Sequence, residues 1–261
     1  MTNLIPSSPG AAAACSALLC LAAVHPAPAA LRELSTDRPD TTESPRTVDA
    51  GHFQFELELA AWEKSGVDRT LNLGNLNLKA GLTDSTDLQL VLPLYSRSQT
   101  GGPEGFGDIA LRLKHNLWGN EEGPTAMAVM PYVKLPTAHG QLGNGKVEGG
   151  LILPFAFSLS ENWEAGLMAE IDFAADETGS GYHAVFVHSA TVSRGLTEHT
   201  GFFVELVSVL STEAGAADEA YFNAGLTWAV SPRWQVDGGL RTGLTSASVD
   251  LTPFLGLSAK F

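Results

Sequence analysis

The feature that most constrains this chain is an alternation of apolar and polar residues that recurs about a dozen times. Its last instance, LTPFLGLSAKF, is the cleanest. Leu251, Pro253, Leu255, Leu257, Ala259 and Phe261 fall on one side of an extended strand; Thr252, Phe254, Gly256, Ser258 and Lys260 fall on the other. The pattern begins at Gly51, where Phe53, Phe55, Leu57, Leu59 and Ala61 oppose Gln54, Glu56 and Glu58. Ile109, Leu111, Leu113 and Leu117 oppose Asp108, Arg112, Lys114 and Asn116, and Trp163 to Phe173 opposes Glu164, Glu170 and Asp172. Trp234, Val236 and Leu240 oppose Gln235, Asp237 and Arg241. In one segment Leu71 and Leu73 are followed by Leu76, Leu78, Ala80 and Leu82; the phase slips at Gly74-Asn75, as a β-bulge makes it do. Two segments, 125–136 and 182–194, carry apolar residues on both faces, so their phase stays open.

The ends differ from this body. Ala11 to Val24 is an uncharged apolar run, broken by His25-Pro26 and followed by Ala27-Pro28-Ala29. Residues 1–30 therefore read as a secretory leader cut near Ala29 or Ala30, although no Lys or Arg precedes the apolar run. Both cysteines, Cys15 and Cys20, fall inside it, so the mature chain is expected to hold no disulfide, thiolate metal site or Cys nucleophile. Residues 31–50 are polar, contain Pro and lack a period; they read as an irregular segment, periplasmic or lumenal, ahead of a single domain over 51–261. No later apolar run is long enough for a membrane helix. The net charge of −14 argues against a nucleic-acid partner.

The connections narrow the class. Short turns at Thr83–Thr86, Gly119–Pro124, Ser160–Asn162, Gly195–His199 and Ser231–Arg233 alternate with longer connections at 97–105, 137–146, 175–181, 211–219 and 245–250. The first connection, Lys64–Arg69, is intermediate. Alternating short and long connections, an even strand number and strands of about 9–11 residues are the layout of a transmembrane barrel with both termini on the periplasmic side. Trp62, Trp118, Trp163, Trp228 and Trp234 stand near strand ends, where a membrane-interface girdle belongs. The expected fold is all-β, an antiparallel up-and-down barrel of about 12 strands in the bacterial outer membrane. Phe261, an aromatic carboxy-terminal residue, is expected to act as its assembly signal. Outer-membrane lipid and the barrel-assembly machinery are the expected partners. A soluble sandwich or periplasmic binding barrel would alternate as well, but it would bury the Leu/Phe face rather than turn it to lipid.

Ser35 to Glu58 (STDRPDTTESPRTVDAGHFQFELE), Gly81–Leu94, Gly105–Trp118 and Tyr132–Thr137 (YVKLPT) resemble recurring stretches of a Gram-negative outer-membrane family described as transporters of a meta-pathway of phenol degradation. The resemblance spans most of the mature chain and is sharpest in its first half. It implies a barrel with a transport role and does not define the solute.

The polar faces would line a lumen. Its expected selectivity residues are Glu56, Glu58, Asp87, Arg112, Lys114, Glu164, Glu170, Asp172, Asp237 and Arg241, with Lys79, Lys134, Glu148, Glu205 and Lys260 on the same faces. Such side chains either set the field of a water-filled pore or are solvated and salt-bridged interior residues. Their carboxylate excess tilts expectation toward cationic or neutral small solutes. Asp37, Arg38 and Asp40 form the most distinctive short motif; they are expected to plug the periplasmic mouth, Arg38 pairing with Glu56 or Glu58, unless 31–50 is a free tail. No catalytic, metal or cofactor site is expected. His188 and Ser189 are adjacent and point to opposite faces, and no nucleophile elbow, P-loop or metal-ligand spacing occurs. A small-solute channel is the leading reading, and a closed structural or adhesive barrel is the alternative.

Overall fold

The computed structural model describes residues 31–261, apart from Glu122 and Gly179; the leader expected over residues 1–30 lies outside them. The strands are β1 (Phe53–Ser65), β2 (Asp68–Thr83), β3 (Thr86–Ser98), β4 (Glu104–Gly105), β5 (Ile109–Trp118), β6 (Thr125–Leu135), β7 (Glu148–Ser160), β8 (Trp163–Ala175), β9 (Tyr182–Gly195), β10 (Thr200–Ser211), β11 (Glu219–Ser231), β12 (Trp234–Gly243) and β13 (Leu251–Lys260). β4 is a short addition to the edge of β3, at Ser96 and Arg97. The other twelve pair antiparallel with their neighbours, and β1 closes the sheet by pairing with both β2 and β13. Closure removes the sheet edge, which would otherwise expose unpaired backbone groups to lipid.

Alternation sorts the side chains. Leu206, Phe222, Leu226, Leu240 and Leu255 are exposed outward, whereas Glu205, Asn223, Asp237, Gln54 and Ser258, on the same or neighbouring strands, are buried inward. The first connection departs from expectation: it is a tight link through Gly66 and Val67, shorter than the Lys64–Arg69 span, because Ser65 and Asp68 pair directly and Gly66 takes a φ of +56°. The slip at Gly74 is real and wider than one strand. Leu59, Gly74 and Leu94 lie side by side in β1, β2 and β3 and drop out of the pairing together. Gly74 has φ +72°, and a Cβ there would sit 3.1 Å from Leu94 Cδ1, so glycine suits the site on both counts.

The two segments of open phase are now assigned. In β6 the inward residues include Ala126, Ala128 and Met130; in β9, Ser189 and Thr191 are buried while His188 is exposed. Sequence left the phase open because the lumen itself is apolar here. Met130, Ile152 and Met168 form a buried cluster, with Tyr132 and Val187 packed against it. The ladder is also broken in this sector. The β5–β6 pairing lapses between Arg112↔Tyr132 and His115↔Val129, and β6–β7 lapses between Met127↔Phe155 and Met130↔Ile152. Pro131 and Pro154 stand in those gaps, and a proline has no N–H to donate.

Candidate functional site

Residues 32–50 form no helix or strand, yet they run inside the barrel and touch most of its wall. Such a segment must find partners for its backbone groups, since burying them unpaired is costly. Wall side chains supply them. Glu56 of β1 accepts the N–H groups of Asp37 (3.0 Å) and Arg38 (3.1 Å). Across the lumen, Glu205 of β10 accepts the N–H groups of Thr41 (2.9 Å) and Thr42 (2.7 Å) and the Thr42 hydroxyl (2.6 Å). Asp87 of β3 accepts the Val48 N–H at 3.0 Å, and Asn116 of β5 donates to the Pro45 carbonyl at 2.8 Å.

Charge holds the segment at the same level. The Asp37 carboxylate lies between Lys79 and Lys114, the latter at 2.5 Å, and Lys79 also pairs with Glu56. The Arg38 guanidinium bridges Asp237 (2.8 Å) and Glu58 (3.4 Å), and Arg241 joins Glu58 at 2.9 Å. That guanidinium lies against the bare backbone of Gly256, where an added Cβ would come within 2.2 Å of Arg38 Nη2. Arg112 pairs with Glu43 at 2.6 Å, Arg46 with Glu164 at 3.1 Å, and Lys260 with Asp49 at 3.1 Å. Lys114 and Asp87 are 0% exposed and Asp237 is 2% exposed, so these charges are desolvated and depend on one another.

The structure thus brings Asp37, Arg38, Glu56, Glu58, Lys114, Asp237 and Arg241 into one network, with Arg112 beside it through Glu43. Asp40 lies near Glu205 rather than in that network. Glu164 stands apart as the partner of Arg46. Asp172 accepts the Tyr132 hydroxyl, with Glu170 two residues before it on the same face of β8. Phe261 stacks on Phe55 at 6.0 Å and meets Trp234 edge-on at 5.8 Å; its N–H donates to Phe53 O at 2.8 Å.

The segment's own carboxyls titrate differently. Burial works against the Asp37 carboxylate, but the ammonium groups of Lys114 and Lys79 outweigh it and hold the acid well below the usual range. Burial lifts Asp40 well above its ordinary value, and the charge of Glu205 adds to this. Glu43 is pushed up to about 7 by burial and by Asp37, with Arg112 and Lys114 pulling the other way.

Beside the segment, at the end of the barrel with the short connections, a cavity of about 660 Å³ remains. Arg46, Glu164, Arg194, His199, Thr227 and Gln235 line it. Its wall is mixed: Ala156, Ala165 and Phe203 lie among these polar groups, which suit water and small polar or ionic solutes.

The family model described as "Putative MetA-pathway of phenol degradation" matches residues 36–261. The chain belongs to this family. Among solved structures, it is similar to the "COG4313 outer membrane channel from Pseudomonas putida F1", at 16% identity and a TM-score of 0.63, over 87% of this chain and 100% of that one. It is also similar to the "KdgM porin", at 10% identity and a TM-score of 0.51, over 80% of this chain and 99% of that one. No curated protein matches by sequence. The closed barrel is of the outer-membrane kind, and its apolar outer belt places this family member in the bacterial outer membrane.

Sequence reasoning passed over three residues that the fold gathers: Asp176, His183 and Glu213. Their separations of seven and thirty residues match no ligand spacing, so linear pattern carried no signal for them.

Proposed function

We propose that this protein is a passive outer-membrane channel for small solutes whose lumen is narrowed by its own segment 32–49. The observation that carries this reading is the threaded segment: an irregular stretch held in the short-connection half of the barrel by wall carboxylates and buried ion pairs, beside a cavity of about 660 Å³. The path is filtered by charge and width. Five cationic side chains, Lys79, Lys114, Arg38, Arg112 and Arg241, are paired with the five carboxylates of Asp37, Glu43, Glu56, Glu58 and Asp237, so the ion-pair network taken alone is close to neutral. Glu164 is balanced by Arg46, whereas Asp87, Glu170, Asp172 and Glu205 have no Lys or Arg in ion-pair range among the described residues and tilt the path toward cationic or neutral solutes. The family description brings small aromatic compounds in as the first solutes to assay. The mechanism uses no covalent chemistry, catalytic group or cofactor. Lipid and the barrel-assembly machinery are its partners in the membrane, with Phe261 as the assembly signal.

The alternative is a closed structural barrel, and the desolvation of Lys114, Asp87 and Asp237 favours it, because water is excluded where they lie. Planar-bilayer conductance of the purified barrel, with and without residues 31–46, separates the two. A channel gated by the segment conducts in discrete steps, and the deletion raises conductance and noise. Unchanged conductance and noise on deletion would sink the plug. Absence of conductance from both proteins would favour the closed barrel.

A further inference from the structure

Asp176, His183 and Glu213 come from three places near the long-connection end of the barrel. Asp176 follows β8, His183 opens β9, and Glu213 follows β10. His183 Nδ1 lies 3.0 Å from Asp176 Oδ1, and its Nε2 lies 3.8 Å from Glu213 Oε2. One ligand atom from each residue lies within 4.8 Å of the other two. A neutral imidazole has a single N–H, so it satisfies one carboxylate and turns a bare lone pair toward the other. Two carboxylates and a neutral ring leave the cluster with a charge of −2, and among the described residues no Lys or Arg lies in ion-pair range of either carboxylate.

The surroundings hold these groups in place. The Glu177 N–H donates to Glu213 Oε1 at 2.8 Å, and the Glu213 N–H donates to Ser211 Oγ at 3.1 Å. The Asp176 N–H donates to the Gly181 carbonyl at 3.1 Å, closing the connection on itself. Gly181 also leaves room for the acid: a Cβ there would lie 2.2 Å from Asp176 Oδ2. Contacts that fix the orientation of a ligand in this way are what hold a metal's first shell.

We propose that Asp176, His183 and Glu213 bind a first-row divalent cation of the zinc type, which ties the connection after β8 to the connection after β10. One imidazole and two carboxylates suit zinc or cobalt better than the all-oxygen shells of calcium and magnesium. Only one ring nitrogen of His183 can take the ion; tetrahedral ligand distances of about 2.0–2.2 Å place donors roughly 3.4 Å apart, so the three ligand atoms, within 4.8 Å of one another, must draw together by up to about 1.4 Å. Three protein donors leave a fourth position for water. The ion neutralises the −2 charge and needs no proton on His183. This inference is independent of whether the barrel conducts.

The test uses the full mature chain, refolded in detergent without a histidine tag and stripped with a chelator. Cobalt(II) is titrated by visible absorption and zinc(II) by calorimetry. One equivalent is expected to bind the wild type, with affinity falling at least about tenfold in His183→Gln and in Glu213→Gln. His139→Gln, which alters a histidine away from the cluster, is expected to bind as the wild type does. Heat-modifiable mobility reports that each variant is still a barrel. Zinc is also expected to slow protease cleavage after β8 and β10 in the wild type and not in His183→Gln. Absence of saturable one-to-one binding by the folded wild type, or equal affinity in His183→Gln, would overturn the proposal.

Discussion

Asp37→Asn is the perturbation that best separates a docked segment from a loose one. Asp37 is 7% exposed and Lys114 is 0% exposed; Lys79 keeps Glu56 as a partner, whereas Asp37 is the only ion-pair partner of Lys114 among the described residues. An amide preserves the shape of the side chain and removes its charge, leaving the Lys114 ammonium buried and uncompensated. Breaking a buried pair from one side costs about 3–5 kcal/mol. At about 1.4 kcal/mol per factor of ten, that is roughly a 100- to 4000-fold shift from docked toward undocked. The readout exploits the cysteine count: both cysteines, Cys15 and Cys20, fall in the expected leader, so Ser44→Cys places a single thiol in the mature chain. Where labelling by a membrane-impermeant maleimide is limited by undocking, its rate follows the undocked fraction. Asp37→Asn should accelerate that labelling by the factor above. Adding Lys114→Met, which removes the stranded charge, should recover much of the loss. A change below about tenfold in Asp37→Asn, or a double variant no better docked than the single one, would refute the claim that this pair holds the segment.

Docking should also depend on pH. Glu43 docks with its acid raised to about 7 from an ordinary 4.5, so docked protein holds the extra proton between those values. The stability it contributes is fully present below 4.5 and is lost as pH rises through about 7; Asp40, also raised, acts in the same direction. Asp37, lowered, contributes docking above its ordinary 3.8 and loses it only in stronger acid. Labelling of the Ser44→Cys thiol, normalised to a free cysteine peptide, should therefore quicken between pH 5 and 8, and Glu43→Gln should flatten the curve; a steeper curve in that variant would contradict the assignment. Gly256→Ala leaves every charge in place but puts a methyl where the Arg38 guanidinium lies, 2.2 Å from Nη2. It should weaken the Arg38–Asp237 pair and raise conductance noise and labelling, as Arg38→Ala is also expected to do; wild-type behaviour would show that the guanidinium does not need that space.

Much of the architecture was legible along the chain because membrane and lumen impose opposite chemistry on successive residues. Leu255 and Phe254 are neighbours, yet one is exposed outward and the other is buried inward. Even the slip at Gly74 was visible, since it reversed which leucines aligned. Strand phase failed over 125–136 and 182–194, where Met130, Ile152, Met168 and Val187 make the lumen as apolar as the lipid face. There period two has no contrast to read. It failed also at Ala61, expected on the lipid face with Leu59 but turned inward against Phe203 and Phe254 by the register shift at Leu59.

The site was legible only as a set of residue types. Alternation by itself determined that Glu56, Glu58, Lys114 and Asp237 point away from lipid, because a charge facing hydrocarbon is too costly to keep. Which of them meet was decided by closure of the barrel. Arg38 and Asp237 are 199 residues apart, and they touch only because β13 returns to β1 and sets β12 two strands from it. Asp176, His183 and Glu213 illustrate the same limit: each connection is local, but the distance between connections is set by the β8–β9 and β9–β10 registers. Local periodicity fixes the face of a residue, whereas its partners depend on long-range pairing that no single segment encodes.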